Sequence, residues 1–233
     1  MTELFALCID AQEPHRLAEF WAALLGRQRD GDTLRPAGEP GFRIRFRPAP
    51  EPKRGPNQMH FDLTSTSLSD QQNTVAQALA LGGRHIDVGQ LPDEDHVVLA
   101  DPEGNEFCVI EPGNGFLAGC GFEGCLAGDG SAAAGYFWAE ALGWPLVWDE
   151  NEETAIQSPR GGTKISWGGQ PPAPGTGRGR LHFDLVSDDE QADADRLIAI
   201  GAKRADRNQH PGEPHIALTD PDGNEFCVRP RQL

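Results

Sequence analysis

The feature that most constrains this chain is an internal repeat. Asp101-Pro102-Glu103-Gly104-Asn105-Glu106-Phe107-Cys108-Val109 returns as Asp220-Pro221-Asp222-Gly223-Asn224-Glu225-Phe226-Cys227-Val228, with eight of nine positions identical. His60-Phe61-Asp62-Leu63 precedes the first copy and His182-Phe183-Asp184-Leu185 the second, so architecture is repeated and not one loop. In Asp-Pro-x-Gly, aspartate suits the first corner of a type I turn, proline pre-sets φ at the second and glycine closes the fourth. The turn stands between Val97-Val98-Leu99 and Phe107-Cys108-Val109-Ile110, and again between Ile216-Ala217-Leu218 and Phe226-Cys227-Val228, which predicts a hairpin in each half.

At 233 residues the chain accommodates two similar halves, each large enough for a core. The boundary falls near Pro112 to Asn114, giving domains 1–112 and 113–233. A formal charge of −16 argues against nucleic acid, which needs a basic footprint. It suits a cationic ligand, or serves solubility alone. Five cysteines, an odd number without a secretory pattern, point to a reducing, cytoplasmic location. Cys120 and Cys125 are too isolated a pair to define a metal or redox motif. No apolar run approaches the roughly 18 residues needed to span a bilayer.

Leu4 to Ile9 reads as a buried strand, followed by a helix opened by Pro14, with Leu17, Phe20, Trp21 and Leu24 on one face, and closed by Gly26. Phe42 to Arg47 alternates with period two, placing Phe42, Ile44 and Phe46 on one face and Arg43, Arg45 and Arg47 on the other. Pro48 to Pro56 is a connector. A strand from His60 to Leu63 follows, then a helix with Val75, Ala78 and Leu79 on its apolar face, a Gly82-Gly83 stop and the hairpin. The second half repeats the plan: Ser131 to Leu142 matches the first helix, Phe137-Trp138 standing where Phe20-Trp21 stood. Trp144, Leu146 and Trp148 alternate on a strand, and Gln170 to Gly179 is the equivalent connector. The fold is therefore α+β, with four βαβββ modules.

The helix ending Ala18-Glu19-Phe20-Trp21-Ala22-Ala23-Leu24-Leu25-Gly26, the connector Pro50-Glu51-Pro52-Lys53, the strand His60 to Leu63 and the closing Leu99 to Val109 together resemble the glyoxalase-like branch of the vicinal oxygen chelate superfamily. That superfamily includes glyoxalase I, extradiol dioxygenases, and fosfomycin and bleomycin resistance proteins. The resemblance covers nearly the whole chain in two copies. It implies modules paired into two cup-shaped half-barrels whose concave faces hold a ligand, with histidine or glutamine and glutamate on first and last strands binding a divalent metal. His60 and His182 match the histidine position. Cys108 and Cys227 stand where glutamate is expected, a departure from the metal-site pattern. Strand-to-helix spacing places Ala6 and Glu123 at the remaining first-strand positions, and Arg45 and Ser166 at the final ones. Half one offers His60 and Cys108. Half two offers Glu123, His182 and Cys227, a mixed set that zinc tolerates; the alternative is that no metal binds.

Period two, with Phe61, Leu63, Phe107 and Val109 packed on helices, points His60, Asp62, Thr64, Glu106, Cys108 and Ile110 into the cup, and likewise His182, Asp184, Glu225 and Cys227. His60, Glu106, His182 and Glu225 are candidate acid/base groups, with Asp62 and Asp184 able to orient the imidazoles. A repeated hydrogen-bonded scaffold accounts for the same residues. Cys108 and Cys227 also read as small buried hydrophobes. Arg43, Arg45 and Arg47 could grip a carboxylate or phosphate if their face is concave. Trp144, Trp148 and Trp167 could stack on a planar or cationic ligand or pack the core. Two readings remain. One is a small-molecule enzyme, metal-dependent (lyase, isomerase or dioxygenase) or metal-free. The other is a binding protein that sequesters an antibiotic or metabolite. The chain is expected to act as monomer or homodimer.

Overall fold

A computed structural model describes residues 2–38, 40–91, 94–169, 179–205 and 214–231. Most of the connector expected at 170–179 lies outside the described residues. Module one comprises β1 (Glu3–Ala11), α1 (Pro14–Leu25), β2 (Arg29–Asp30), β3 (Thr33–Leu34) and β4 (Arg43–Pro48). Module two comprises β5 (Met59–Leu63), α2 (Leu68–Ala80), β6 (Arg84–His85), β7 (Val97–Ala100) and β8 (Glu106–Val109). Module three comprises β9 (Cys125–Asp129), α3 (Ala132–Leu142), β10 (Leu146–Glu150), β11 (Glu153–Ile156) and β12 (Lys164–Gly168). Module four comprises β13 (Leu181–Ser187), α4 (Glu190–Ala199), β14 (Lys203–Arg204), β15 (Ile216–Thr219) and β16 (Glu225–Pro230). All four are βαβββ units.

Local chemistry sets the ends of these elements. Pro14 opens α1, and Gly26 closes it in the left-handed region at φ 65°. Ser67 caps α2 by accepting from the Asp70 amide, and Asp189 caps α4 by accepting from the Ala192 amide. Gly135 lets α3 lie directly on β11, because a Cβ there would meet Thr154 Oγ1 at 1.9 Å.

The repeated Asp-Pro-x-Gly-Asn block has a structural task. The Gly104 amide donates to the Asp101 carbonyl at 3.0 Å, closing the turn. Asp101 Oδ1 accepts from the amides of Glu103 and Asn105, each at 2.9 Å, while Oδ2 accepts from Trp21 Nε1 at 3.0 Å. Asp220 does the same with Asp222, Asn224 and Trp138 Nε1. The matching Phe20-Trp21 on α1 and Phe137-Trp138 on α3 therefore meet the repeated block through their indoles. Trp21 packs on Phe61 and Phe107, and Trp138 on Phe183 and Phe226, with ring centroids 5.0–5.5 Å apart. Such pairs contribute about 0.5–1.5 kcal/mol each beyond their buried area. One contiguous core results, shared by all four modules.

The sheets do not follow the halves. One eight-stranded sheet runs β14-β15-β16-β13-β1-β4-β3-β2, joining modules one and four; the other runs β10-β11-β12-β9-β5-β8-β7-β6, joining modules two and three. Each cup thus takes one module from each half. The seam is antiparallel, with Cys8 opposite His182 in the first sheet and His60 opposite Ala127 in the second. A strand's period decides which face is apolar but says nothing of which strand lies beside it. That choice is tertiary, made where the 49–58 connector carries the chain from one sheet to the other.

Candidate functional site

On both concave faces the side chains point as the period requires. In the first cup, Cys8 on β1 faces His182 and Asp184 on β13, and Asp184 lies beside Cys227 of β16. Asp184 is fully buried. Its Oδ2 accepts from Arg45 Nη1 at 3.0 Å and from Arg229 Nη1 at 2.8 Å, and its Oδ1 lies 3.8 Å from His182 Nε2. Burial opposes the charge on Asp184, but His182 and the Arg229 guanidinium beside it hold the carboxyl below its usual range. Burial pushes the Cys8 thiol well up, with Asp184 adding to it, and pushes the Cys227 thiol up to about 12. These thiols are neutral at physiological pH and are not activated nucleophiles. Arg45, expected as a ligand-gripping residue, instead holds Asp184.

The second cup is the counterpart. His60 Nε2 lies 3.4 Å from Asp62 Oδ1, and Cys108 joins them. Burial works against charge on His60, but hydrogen bonds to Asp62 and Cys108 raise its pKa to about 10. Burial also pushes the Cys108 and Cys125 thiols up. Glu106 is held by Lys53 at 2.5 Å and by the Asn57 amide at 3.1 Å, so the 49–58 connector engages it. Its equivalent, Glu225, opens β16 opposite Thr219.

The two cups differ in what fills them. The segment joining the halves, residues 111–124, crosses the second cup. Thr64 donates through its amide to the Phe122 carbonyl and through Oγ1 to that of Gly121, and the Lys164 amide donates to the Gly124 carbonyl. Leu117 buries itself among Val98, Cys108, Ile110 and Cys125. Phe116 meets Trp148 edge-on at 5.6 Å, with Lys164 Nζ 4.8 Å from its ring centre. A cavity of about 300 Å³ remains between Phe116, Trp148 and Ser166. The first cup instead opens into a cleft of about 1420 Å³, reached by Arg43, Arg45, Val186 and Arg229 from the sheet.

Several sequence-based expectations are redistributed. Glu123 does not join His182 and Cys227: it precedes β9 in the second sheet, and Arg27 holds both its carboxylate oxygens. The structural equivalent of Ala6 is Cys125, opposite Lys164 as Ala6 is opposite Arg43, so spacing had set the match one pleat early. The tryptophans go to three places. Trp167 is fully buried and stacks on Trp138 in the core; Trp144 borders the first cleft; Trp148 lies on exposed β10, whose register breaks between Leu146 and Trp148. Cys8 joins the first cup without having been singled out. Its signal was present, since it follows Ala6 by two on a strand of period two.

The divalent ion implied by the family resemblance can be weighed against these donors. In the first cup they do not fit one, because Asp184 is already shared between two guanidiniums and Arg45 stands at the last-strand position. In the second cup, donor atoms of His60, Asp62 and Cys108 lie within 4.8 Å of one another and form a nitrogen, oxygen and sulfur set of the type zinc accepts.

No described helix is long and apolar enough to cross a membrane. The profile of the Glyoxalase-like domain family matches residues 6–110 and again residues 125–229. Among solved structures, glyoxalase I from Zea mays is 14% identical with a TM-score of 0.67, covering 98% of this chain and 92% of that one. A putative dioxygenase from Bacillus subtilis subsp. subtilis str. 168 is 15% identical with a TM-score of 0.59, covering 99% of this chain and 86% of that one. At such identities both likenesses concern the fold. A comparison with curated proteins finds no match. A profile that recurs over both halves, on four βαβββ modules closed into two cups, shows that the chain belongs to the glyoxalase-like domain family of the vicinal oxygen chelate superfamily.

Proposed function

We propose that the protein binds a small organic molecule in the first cup, without a metal there, and that the second cup is principally scaffold. The observation that carries this reading is the contrast in filling: the first cup opens into a cleft of about 1420 Å³, whereas Leu117 and Phe116 occupy the second. The cleft sets fixed arginines beside apolar side chains such as Phe42, Leu142 and Trp144, a concave setting in which a small ligand can be held by shape and charge. Neutral thiols and an aspartate committed to two arginines favour recognition over covalent chemistry. Binding is then by shape and charge, and the ligand leaves unaltered. This favours the sequestering reading over turnover in the first cup.

The test is a thermal-unfolding screen of small organic compounds against wild type and Val186→Trp, Val186 lying on β13 beside the cleft. A ligand at 100 times its Kd should stabilise wild type by about 2.7 kcal/mol and leave the filled variant unmoved. Mass spectrometry should recover it unchanged. Equal stabilisation of both proteins, or conversion of the ligand by wild type alone, would end this reading.

His60, Asp62 and Cys108 favour a second reading, as the residues that would hold a divalent ion. Such an ion would supply Lewis-acid polarisation of an oxygen bound beside it. The chain's own part is to orient the His60 ring through Asp62 and to wall Cys108 with Leu117, while His60 itself stays open to solvent. Metal retained after chelator-free purification is expected to be lost in His60→Ala and kept in His182→Ala; elemental analysis giving the reverse pattern would move the site to the first cup.

A further inference from the structure

The charge around the open cleft is opposite to that of the chain. Although the protein carries −16 overall, the cleft is bordered by Arg35, Arg43, Arg45, Arg160, Arg229 and Arg231, against the carboxylates of Glu3 and Asp30. The sequence had suggested a cationic ligand or mere solubility. Its acidity is spent elsewhere on the surface.

The arginines are not equivalent. Arg45 and Arg229 are fixed by Asp184, Arg35 by Asp30, and Arg231 by Glu3 and Asp188. Arg43 has no carboxylate partner among the described residues. Its guanidinium instead lies over the Phe5 ring, 4.4 Å from the centroid. A cation over an aromatic face is held there by the ring without using up its N–H donors, and a guanidinium can meet a carboxylate or phosphate with two parallel hydrogen bonds. Leu4, Phe42, Leu142, Trp144 and Val186 supply apolar wall beside it.

We infer that the ligand of the first cup is an amphipathic organic oxyanion, a carboxylate, sulfonate or phosphate ester joined to a flat apolar body, with Arg43 receiving the anionic group. This deepens the first-cup reading and rests on it. The inner arginines serve differently: clamped by Asp184, they lower the cost of bringing an anion toward the base of the cup. A fixed positive field of this kind attracts anions against the protein's overall charge and is weakened by salt.

Two fluorescent probes of nearly the same shape separate the claims. 8-Anilinonaphthalene-1-sulfonate carries the oxyanion; N-phenyl-1-naphthylamine lacks it. The wild-type chain at low ionic strength should bind the sulfonate about tenfold or more tightly than the neutral dye, the size expected of one charge-assisted bidentate contact. Arg43→Gln should remove most of that preference, leaving the smaller share due to the inner arginines, with little change for the neutral dye, and added salt should weaken only the sulfonate. Val186→Trp should remove both dyes. Equal affinities in wild type, or an unchanged preference in Arg43→Gln, would overturn the oxyanion assignment while leaving the cup as a binding site. Dye binding that survives in Val186→Trp, or no binding of either dye, would overturn the first-cup reading itself. Unfolding midpoints close to wild type establish that each variant is folded.

Discussion

Replacing Glu123 with alanine is expected to destabilise the protein by about 3–5 kcal/mol, the cost of leaving a buried cation unpaired. Arg27 follows the glycine that ends α1, and its side chain is 3% exposed. Its Nε donates to Glu123 Oε1 at 2.6 Å, its Nη2 to the other carboxylate oxygen, and its Nη1 to the Phe42 carbonyl at 2.9 Å. The pair ties module one to the start of module three, hence one sheet to the other. Urea denaturation should show the loss for Glu123→Ala. The double replacement Arg27→Met with Glu123→Leu should recover most of it, since a buried ion pair exchanged for apolar side chains is often close to neutral. A single-variant loss below about 1 kcal/mol would mean that the pair is hydrated and not a structural tie.

The second large effect is at Asp184. Asp184→Asn keeps the shape but removes the anion shared by Arg45 and Arg229, and a loss of about 3–5 kcal/mol is expected at pH 7. The pH dependence identifies the cause. Because the native carboxyl sits below its usual range, the stability linked to its charge is fully present above the unfolded value of about 3.9 and is lost as pH falls through the lower native value. The gap between wild type and Asp184→Asn should therefore begin to close near pH 4 and narrow steadily as pH falls further. A gap that stays constant down to pH 2 would assign the loss to packing and not to charge.

Much of the fold was legible because the signals were local. Helix periodicity with Pro14 and Gly26, alternation in Phe42 to Arg47, and the Asp-Pro-x-Gly turn all appear where the sequence placed them. The repeated aspartates do more than open the turn the sequence assigned them: Asp101 and Asp220 each hold a tryptophan indole. The facing of His60, Asp62, Cys108, His182, Asp184 and Cys227 followed from period two alone. Register was less secure. One pleat of error placed Glu123 on a concave face and left Cys8 unnoticed, because side-chain direction repeats every two residues and strand ends carry no mark of their own.

The sequence by itself determined four βαβββ modules, their repeat, and which face of each strand is polar, since these depend on spacing within a dozen residues. Only the tertiary structure decided that modules pair across the halves, that Leu117 and Phe116 fill one cup, and that arginines from β4, β16 and the 158–163 turn meet around the other. Those outcomes join residues from different modules, in the first cup as far apart as Arg45 and Asp184, 139 positions from one another. No local periodicity encodes such a meeting; burial of one shared core brings it about.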